Sequence, residues 1–273
     1  MKKIVALMCA ALMLLALTAC QSAPQDDGKY TIGICQLVTH DALDAATKGF
    51  QDAVIAALGA ENVVFDLQNA AGDAATCSSI ANAFVSANVD LIMANATPAL
   101  QAAQAATADI PILGTSVTEY GVALDIQDFS GTVGGNVSGT SDAVPFDEQA
   151  QMMIDTLGLV AGDVVGVLYC TNESNSLIQY EAVKALFEEK GIVVKAYTFS
   201  ETTELQTVTT SMASEVKAVY IPSDNTVAAN DSVVGSICTE QKVPVYTSYG
   251  GAICYASLAI DYYQLGYETG KMA

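Results

Sequence analysis

The stretch Gly131-Thr132-Val133-Gly134-Gly135-Asn136-Val137-Ser138-Gly139-Thr140-Ser141-Asp142-Ala143-Val144-Pro145 is rich in glycine and carries no lysine or arginine. On either side of it, short β-branched runs alternate with alanine-rich amphipathic runs. That order predicts an α/β fold with parallel sheets, in which the glycine-rich stretch is the crossover between two lobes. Ligands of such sheets bind outside the carboxyl ends of the strands, so function is to be sought at the strand ends facing the crossover.

Working outward toward the start, strands are expected at 30–38, 63–67, 89–94 and 110–114, with helices over 42–58, 73–87 and 98–106. His40-Asp41 can cap the first helix, and Pro98 suits a first helical turn because its missing N–H would be unpaired there anyway. Toward the end, helices are expected over 146–157, 176–190, 203–213 and 226–241. They alternate with strands at 164–169, 192–199, 218–222 and 243–247. A last strand at 256–260 precedes a helix from Tyr262 onward, which stops uncapped at Lys271-Met272-Ala273 and reads as the end of a fragment. The strands are continuous apolar runs, as in parallel sheets covered on both faces.

Lys2 and Lys3, the apolar run 4–17 and Leu17-Thr18-Ala19-Cys20 form an export leader, too short in its apolar part for an ordinary membrane span. The tetrapeptide resembles the lipobox of bacterial lipoproteins. That resemblance implies cleavage after residue 19, lipidation of Cys20, a tether over 20–29 and an extracytoplasmic domain held at the membrane. Removing residues 1–19 takes away two lysines and no acid, so the net charge moves from −20 to −22. A field of that sign repels phosphate backbones and argues against nucleic acid.

Cys35, Cys77, Cys170, Cys238 and Cys254 show no Cys-x-x-Cys spacing, and His40 is the only histidine, so no metal site is expected and the thiols read as free. No dinucleotide fingerprint, phosphate loop or Gly-x-Ser-x-Gly elbow is present, which argues against a cofactor and against enzymatic chemistry.

A family resemblance rests on an ordered set of short motifs. The first half carries Ile32-Gly33-Ile34-Cys35-Gln36, His40-Asp41-Ala42-Leu43-Asp44, Gln68-Asn69-Ala70, Ala96-Thr97-Pro98-Ala99 and Ser116-Val117-Thr118. The second carries Asn136-Val137-Ser138-Gly139, Asn172-Glu173, Asp224-Asn225-Thr226 and Ile260-Asp261-Tyr262-Tyr263. Together they resemble the solute-binding lipoproteins of ABC importers, in the branch associated with tryptophan and other aromatic amino acids. Asp41 stands where proline is usual, and Glu119-Tyr120 replaces an Asp-Pro.

The resemblance implies two Rossmann-like lobes of the type I periplasmic-binding-protein kind, 30–142 plus 251–273 and 143–250, closing over a small ligand. It also implies a monomer that delivers its ligand to a permease and ATPase on separate chains. A sensory receptor on the same fold, and an extracytoplasmic enzyme, are the alternatives.

For an amino-acid ligand the candidate contacts follow from position. Thr97 precedes a helix whose N–H groups favour a carboxylate. Ser116 and Thr118 follow the fourth strand, and Ser174, Asn175 and Ser176 occupy the matching turn of the second lobe. Asp224 is the leading counter-charge for an ammonium, with Asp142 and Asp261 behind it; Gln36 and His40 complete the set.

Overall fold

The computed structural model describes residues 28–273; the expected leader 1–19, Cys20 and most of the tether lie outside the described residues. The first of two sheets contains β1 (Tyr30–Gln36), β2 (Val63–Asn69), β3 (Leu91–Asn95), β4 (Ile112–Val117) and β5 (Val137–Ser141), in the order β2-β1-β3-β4-β5. The second contains β6 (Val164–Cys170), β7 (Val193–Phe199), β8 (Ala218–Ile221) and β9 (Val245–Thr247), in the order β7-β6-β8-β9. Every ladder is parallel, as the continuous apolar runs predict.

The connecting helices in the first half are α1 (Asp41–Leu58), α2 (Ala74–Ala87), α3 (Thr97–Ala106) and α4 (Tyr120–Ala123). In the second half they are α5 (Phe146–Leu157), α6 (Ser174–Glu189), α7 (Leu205–Ala213), α8 (Asn225–Ala228) and α9 (Asp231–Gln241), with α10 (Tyr262–Met272) last. Each sheet has a core on both faces. Phe84, Leu100 and Ile112 belong to one core of the first sheet, and Ile34, Phe50 and Met93 to the other. The second sheet has Leu168, Met212 and Val219 in one, Val165, Phe187 and Tyr220 in the other. Burying each such side chain contributes about 1.5–3 kcal/mol. No helix of the described residues is long and apolar enough to cross a membrane.

Three elements depart from the expectations. Residues 137–141, inside the glycine-rich stretch, form edge strand β5 of the first sheet, so the chain passes to the second sheet only after Ser141. Val-Ser-Gly-Thr-Ser has weak strand propensity, yet Gly139 is required there: a Cβ would collide with the backbone of Gly114 and the Tyr120 hydroxyl. The helix expected over 226–241 is broken into α8 and α9, and at the break Asn230 donates its amide to the Thr226 carbonyl at 2.8 Å. The strand expected at 256–260 is reduced to a bridge between Ala256 and Tyr246, because β9 is only three residues long and the Leu258 carbonyl is taken by the Gln149 side chain at 2.6 Å.

The last helix lies along α1 at backbone contact distance. Gly49 packs under the Tyr263 carbonyl, Gly266 against the Ala46 backbone and Gly270 against Phe50. The Thr140 and Thr269 hydroxyls join β5 to α10 at 2.7 Å. Gly266→Ala puts a methyl into the Ala46 carbonyl, and we expect it to lower unfolding stability by about 1–3 kcal/mol in urea titration, the usual cost of overpacking a tight interface.

Candidate functional site

Both sheets reverse their winding in the middle, between β1 and β3 in the first and between β6 and β8 in the second. Each reversal opens a crevice at the carboxyl ends of the strands. The two crevices face each other: His40 Nε2, beyond β1, lies 3.2 Å from Asn225 Oδ1, beyond β8, and Gln179 Nε2 on α6 donates to Thr118 Oγ1 beyond β4 at 3.2 Å.

The backbone is strained at two of these strand ends. Ala96, between β3 and α3, has φ 95° and ψ 158°, a region normally reserved for glycine, while Ser116 sits at φ 55° within a register shift between β4 and β5. Such conformations cost about 1–3 kcal/mol each and survive only where their surroundings dictate them. Ala96 and Thr97 are buried, and Thr97 opens α3, so the helix N–H groups with their partial positive charge lie at the carboxyl end of β3.

A continuous hydrogen-bond network joins the lobes. Ser141 Oγ donates to the Thr118 carbonyl, Thr118 Oγ1 accepts from Gln179, and Gln179 Oε1 accepts from the Ser223 amide at 2.9 Å and the Ser248 hydroxyl at 3.0 Å. Asn175 Nδ2 donates to the Ser223 carbonyl at 2.8 Å. Tyr262 donates its hydroxyl to Asp142 Oδ2 at 2.9 Å, and the Asp142 amide donates to the Val117 carbonyl at 3.2 Å.

Near this network three buried atoms have no hydrogen-bond partner: Ser116 Oγ, Asp142 Oδ1 and Asn175 Oδ1. All three belong to residues singled out from the sequence. The only others among the described residues are Asn95 Oδ1, at the end of β3, and Thr209 Oγ1 in α7. Burial raises the pKa of Asp142, while the Thr118 and Tyr262 hydroxyls pull it the other way.

Asp224 is placed differently. It is fully buried and accepts from the Cys170 amide at 2.7 Å, the Ser176 hydroxyl at 2.8 Å and the Val227 amide at 2.9 Å. It thus caps α8 and pins it to the end of β6. Burial first, and the nearby Glu173 charge second, push its pKa well up. Glu173, not among the expected contacts, accepts from the backbone and side chains of both Asn225 and Thr226 at 2.7–2.9 Å.

The remaining candidates divide by burial. Gln36 is buried but internally engaged with Val38, Asp44 and Thr47. His40, half-buried, makes no cap bond; its pKa is lowered by burial against the opposing effects of Asn225 and nearby acids. Ser174 is half-buried at the start of α6, and Asp261 is exposed and caps α10 by accepting from the Gln264 amide at 3.0 Å.

Two cavities open at the lobe junction. One, of about 530 Å³, lies between His40-Asp41-Ala42 and Ala228, Asp231, Tyr249, Ile253 and Tyr262. The other, of about 410 Å³, lies between Gly72-Asp73 and Asn172-Glu173. Acidic groups recur here, and none of the ion pairs among the described residues involves them. Gln179, Ser223 and Ser248 were not anticipated. The signal for Gln179 lies in the spacing of Ser176, Gln179, Val183 and Phe187, a buried helix face that is polar at its first turn.

Comparison with known proteins agrees with this geometry. The sequence model of the ABC transporter substrate binding proteins matches residues 31–273. A tyrosine-binding protein of Clostridioides difficile is 37% identical over 250 residues, covering 89% of this chain and 71% of the relative. An ABC domain from Streptococcus pneumonia in complex with L-Trp is 32% identical with a TM-score of 0.82, covering 89% of this chain and 83% of that one. The ligand-free, open structure of a substrate binding protein with adhesive properties from Clostridium difficile is 38% identical over the same shares, yet its TM-score is 0.63. Sequence, fold and the facing crevices agree: the chain belongs to the ABC transporter substrate binding protein family.

Proposed function

We propose that this protein is the extracytoplasmic, lipid-anchored receptor of an ABC importer, and that it captures an aromatic amino acid between its lobes and hands it to a permease with a separate ATPase. The observation that carries this reading is the set of unpartnered buried atoms at the lobe junction. Asp142 Oδ1 and Asn175 Oδ1 are acceptors suited to an ammonium, and Ser116 Oγ is a donor suited to a carboxylate beside the start of α3. The named ligands of the tyrosine-binding relative and the L-Trp complex support the aromatic class. The chain is closer in shape to the L-Trp complex than to the open relative, although closer in sequence to the latter, which supports a closed arrangement.

In this reading Cys20 carries the lipid, the protein acts as a monomer, and Asp142 takes the counter-charge role that Asp224 was expected to hold. Asp224 is already engaged by three donors, whereas Asp142 has an oxygen to offer. The sequence contains no arginine, so hydroxyls and helix N–H groups receive the carboxylate.

Thermal unfolding against the twenty amino acids tests the class: a rise in midpoint confined to aromatic amino acids supports it, and no rise with any of them rejects it. Calorimetric titration then tests the assignment. Asp142→Asn is expected to weaken binding about 10-fold or more, the loss of one charge-assisted bond, whereas Asp224→Asn is expected to lower the unfolding midpoint first. Because burial raises the Asp142 pKa, wild-type affinity should fall with decreasing pH earlier than an exposed aspartate would dictate, and the Asp142→Asn variant should lose that dependence. Gln179→Ala removes the bond between lobes and is expected to shift the ligand-free protein toward an open form, read as a larger radius of gyration in solution scattering.

A further inference from the structure

The larger junction cavity has a polar end that the amino-acid head group does not use. Tyr262 lines it while holding Asp142 through its hydroxyl, so one end of the cavity adjoins the proposed ammonium site. Its lining includes the apolar side chains of Ala228 and Ile253, and its volume of about 530 Å³ lies in the range that encloses small ligands. Asp231 stands among the lining groups. Tyr249 donates its hydroxyl to Asp231 Oδ1 at 2.7 Å, which orients the carboxylate. Oδ2 lies against the Gly251 main chain, where an added Cβ would come within 3.0 Å of it, and Asp231 and Gly251 both line the cavity.

The geometry points to Asp231, oriented by Tyr249, as the group that reads the far end of the ligand and selects an aromatic side chain bearing an O–H or N–H donor, phenol or indole, over a plain phenyl ring. This rests on the amino-acid reading above. The electrostatics favour a donor here. Burial raises the Asp231 pKa, the Tyr249 hydroxyl pulls it back down, and the charge of Asp41 across the junction adds to the rise, so two acids lie near each other. No ion pair among the described residues involves either acid. A phenolic or indolic hydrogen relieves that arrangement, while a phenyl ring desolvates the carboxylate and returns nothing.

The test is a comparison of L-Tyr, L-Trp and L-Phe binding to the wild type, Asp231→Ala and Tyr249→Phe. The protein contains no tryptophan, so the emission of bound L-Trp is read without background, and calorimetry covers the other two. Wild type is expected to favour L-Tyr or L-Trp over L-Phe by about 10-fold or more, the scale of one bond to a charged acceptor. Asp231→Ala should bring that ratio near one, with L-Tyr and L-Trp losing affinity and L-Phe keeping or gaining it because its ring no longer desolvates a carboxylate; retained L-Phe binding also reports that the variant is folded. Tyr249→Phe keeps the carboxylate and should narrow the ratio part of the way. A wild-type ratio near one, or a ratio preserved in both variants, overturns the role of Asp231 and leaves the amino-acid reading standing. If none of the three binds the wild type, the amino-acid reading fails and this inference falls with it.

Discussion

Taking a carboxylate out of water costs several kcal/mol unless donors inside the protein replace the lost hydration. Asp142, Glu173 and Asp224 are all buried where the two lobes meet, with no lysine paired to any of them. Two of the three are satisfied by the chain itself. Glu173 gathers the start of α8 through Asn225 and Thr226, and Asp224 ties that helix to β6 and α6. The second-lobe crevice is therefore a rigid wall whose shape is set by acid–amide contacts. Asp142 differs from these two acids: Oδ2 accepts from Tyr262 and Oδ1 has no hydrogen-bond partner.

The first lobe is held by different means. Its site groups stand on strained strand ends at Ala96 and Ser116, and strain of that kind needs a stiff frame. Part of that frame is the contact of α10 with α1, made at backbone distance through Gly49, Gly266 and Gly270. The chain passes between the sheets twice, after β5 and again after β9, so the start of α10 lies at the junction while its body is bound to the first sheet. Tyr262, at that start, connects the frame to Asp142. Direct contacts across the junction include Gln179 to Thr118 and His40 to Asn225, each a single hydrogen bond of about 0.5–1.5 kcal/mol.

The α/β class, the parallel sheets and most element positions were legible in the amino-acid sequence. They depend on apolar runs and helix breakers that act over a few residues, and a buried parallel strand such as β4 or β8 can hardly be written otherwise. The expectation that function lies at the strand ends has the same origin, and three residues named there from position, Ser116, Asp142 and Asn175, are ones whose buried polar atoms lack a hydrogen-bond partner. Strand β5 was not, because Val137–Ser141 is a strand only by virtue of the edge of β4 beside it, and Gly139 is there for a neighbour's backbone.

Which of these acids keeps an unpartnered oxygen was decided by tertiary structure alone. Asp142 and Asp224 look alike in their immediate sequence, each directly preceded by a serine, Ser141 and Ser223. Their difference arises from groups far along the chain: Asp224 finds Cys170 and Ser176, more than forty residues earlier, while Asp142 is held by Tyr262, 120 residues later, with the Thr118 hydroxyl near it. Local pattern determines where strands end and helices begin. The donors that meet a buried carboxylate are brought by the packing of distant segments, and no local pattern encodes them.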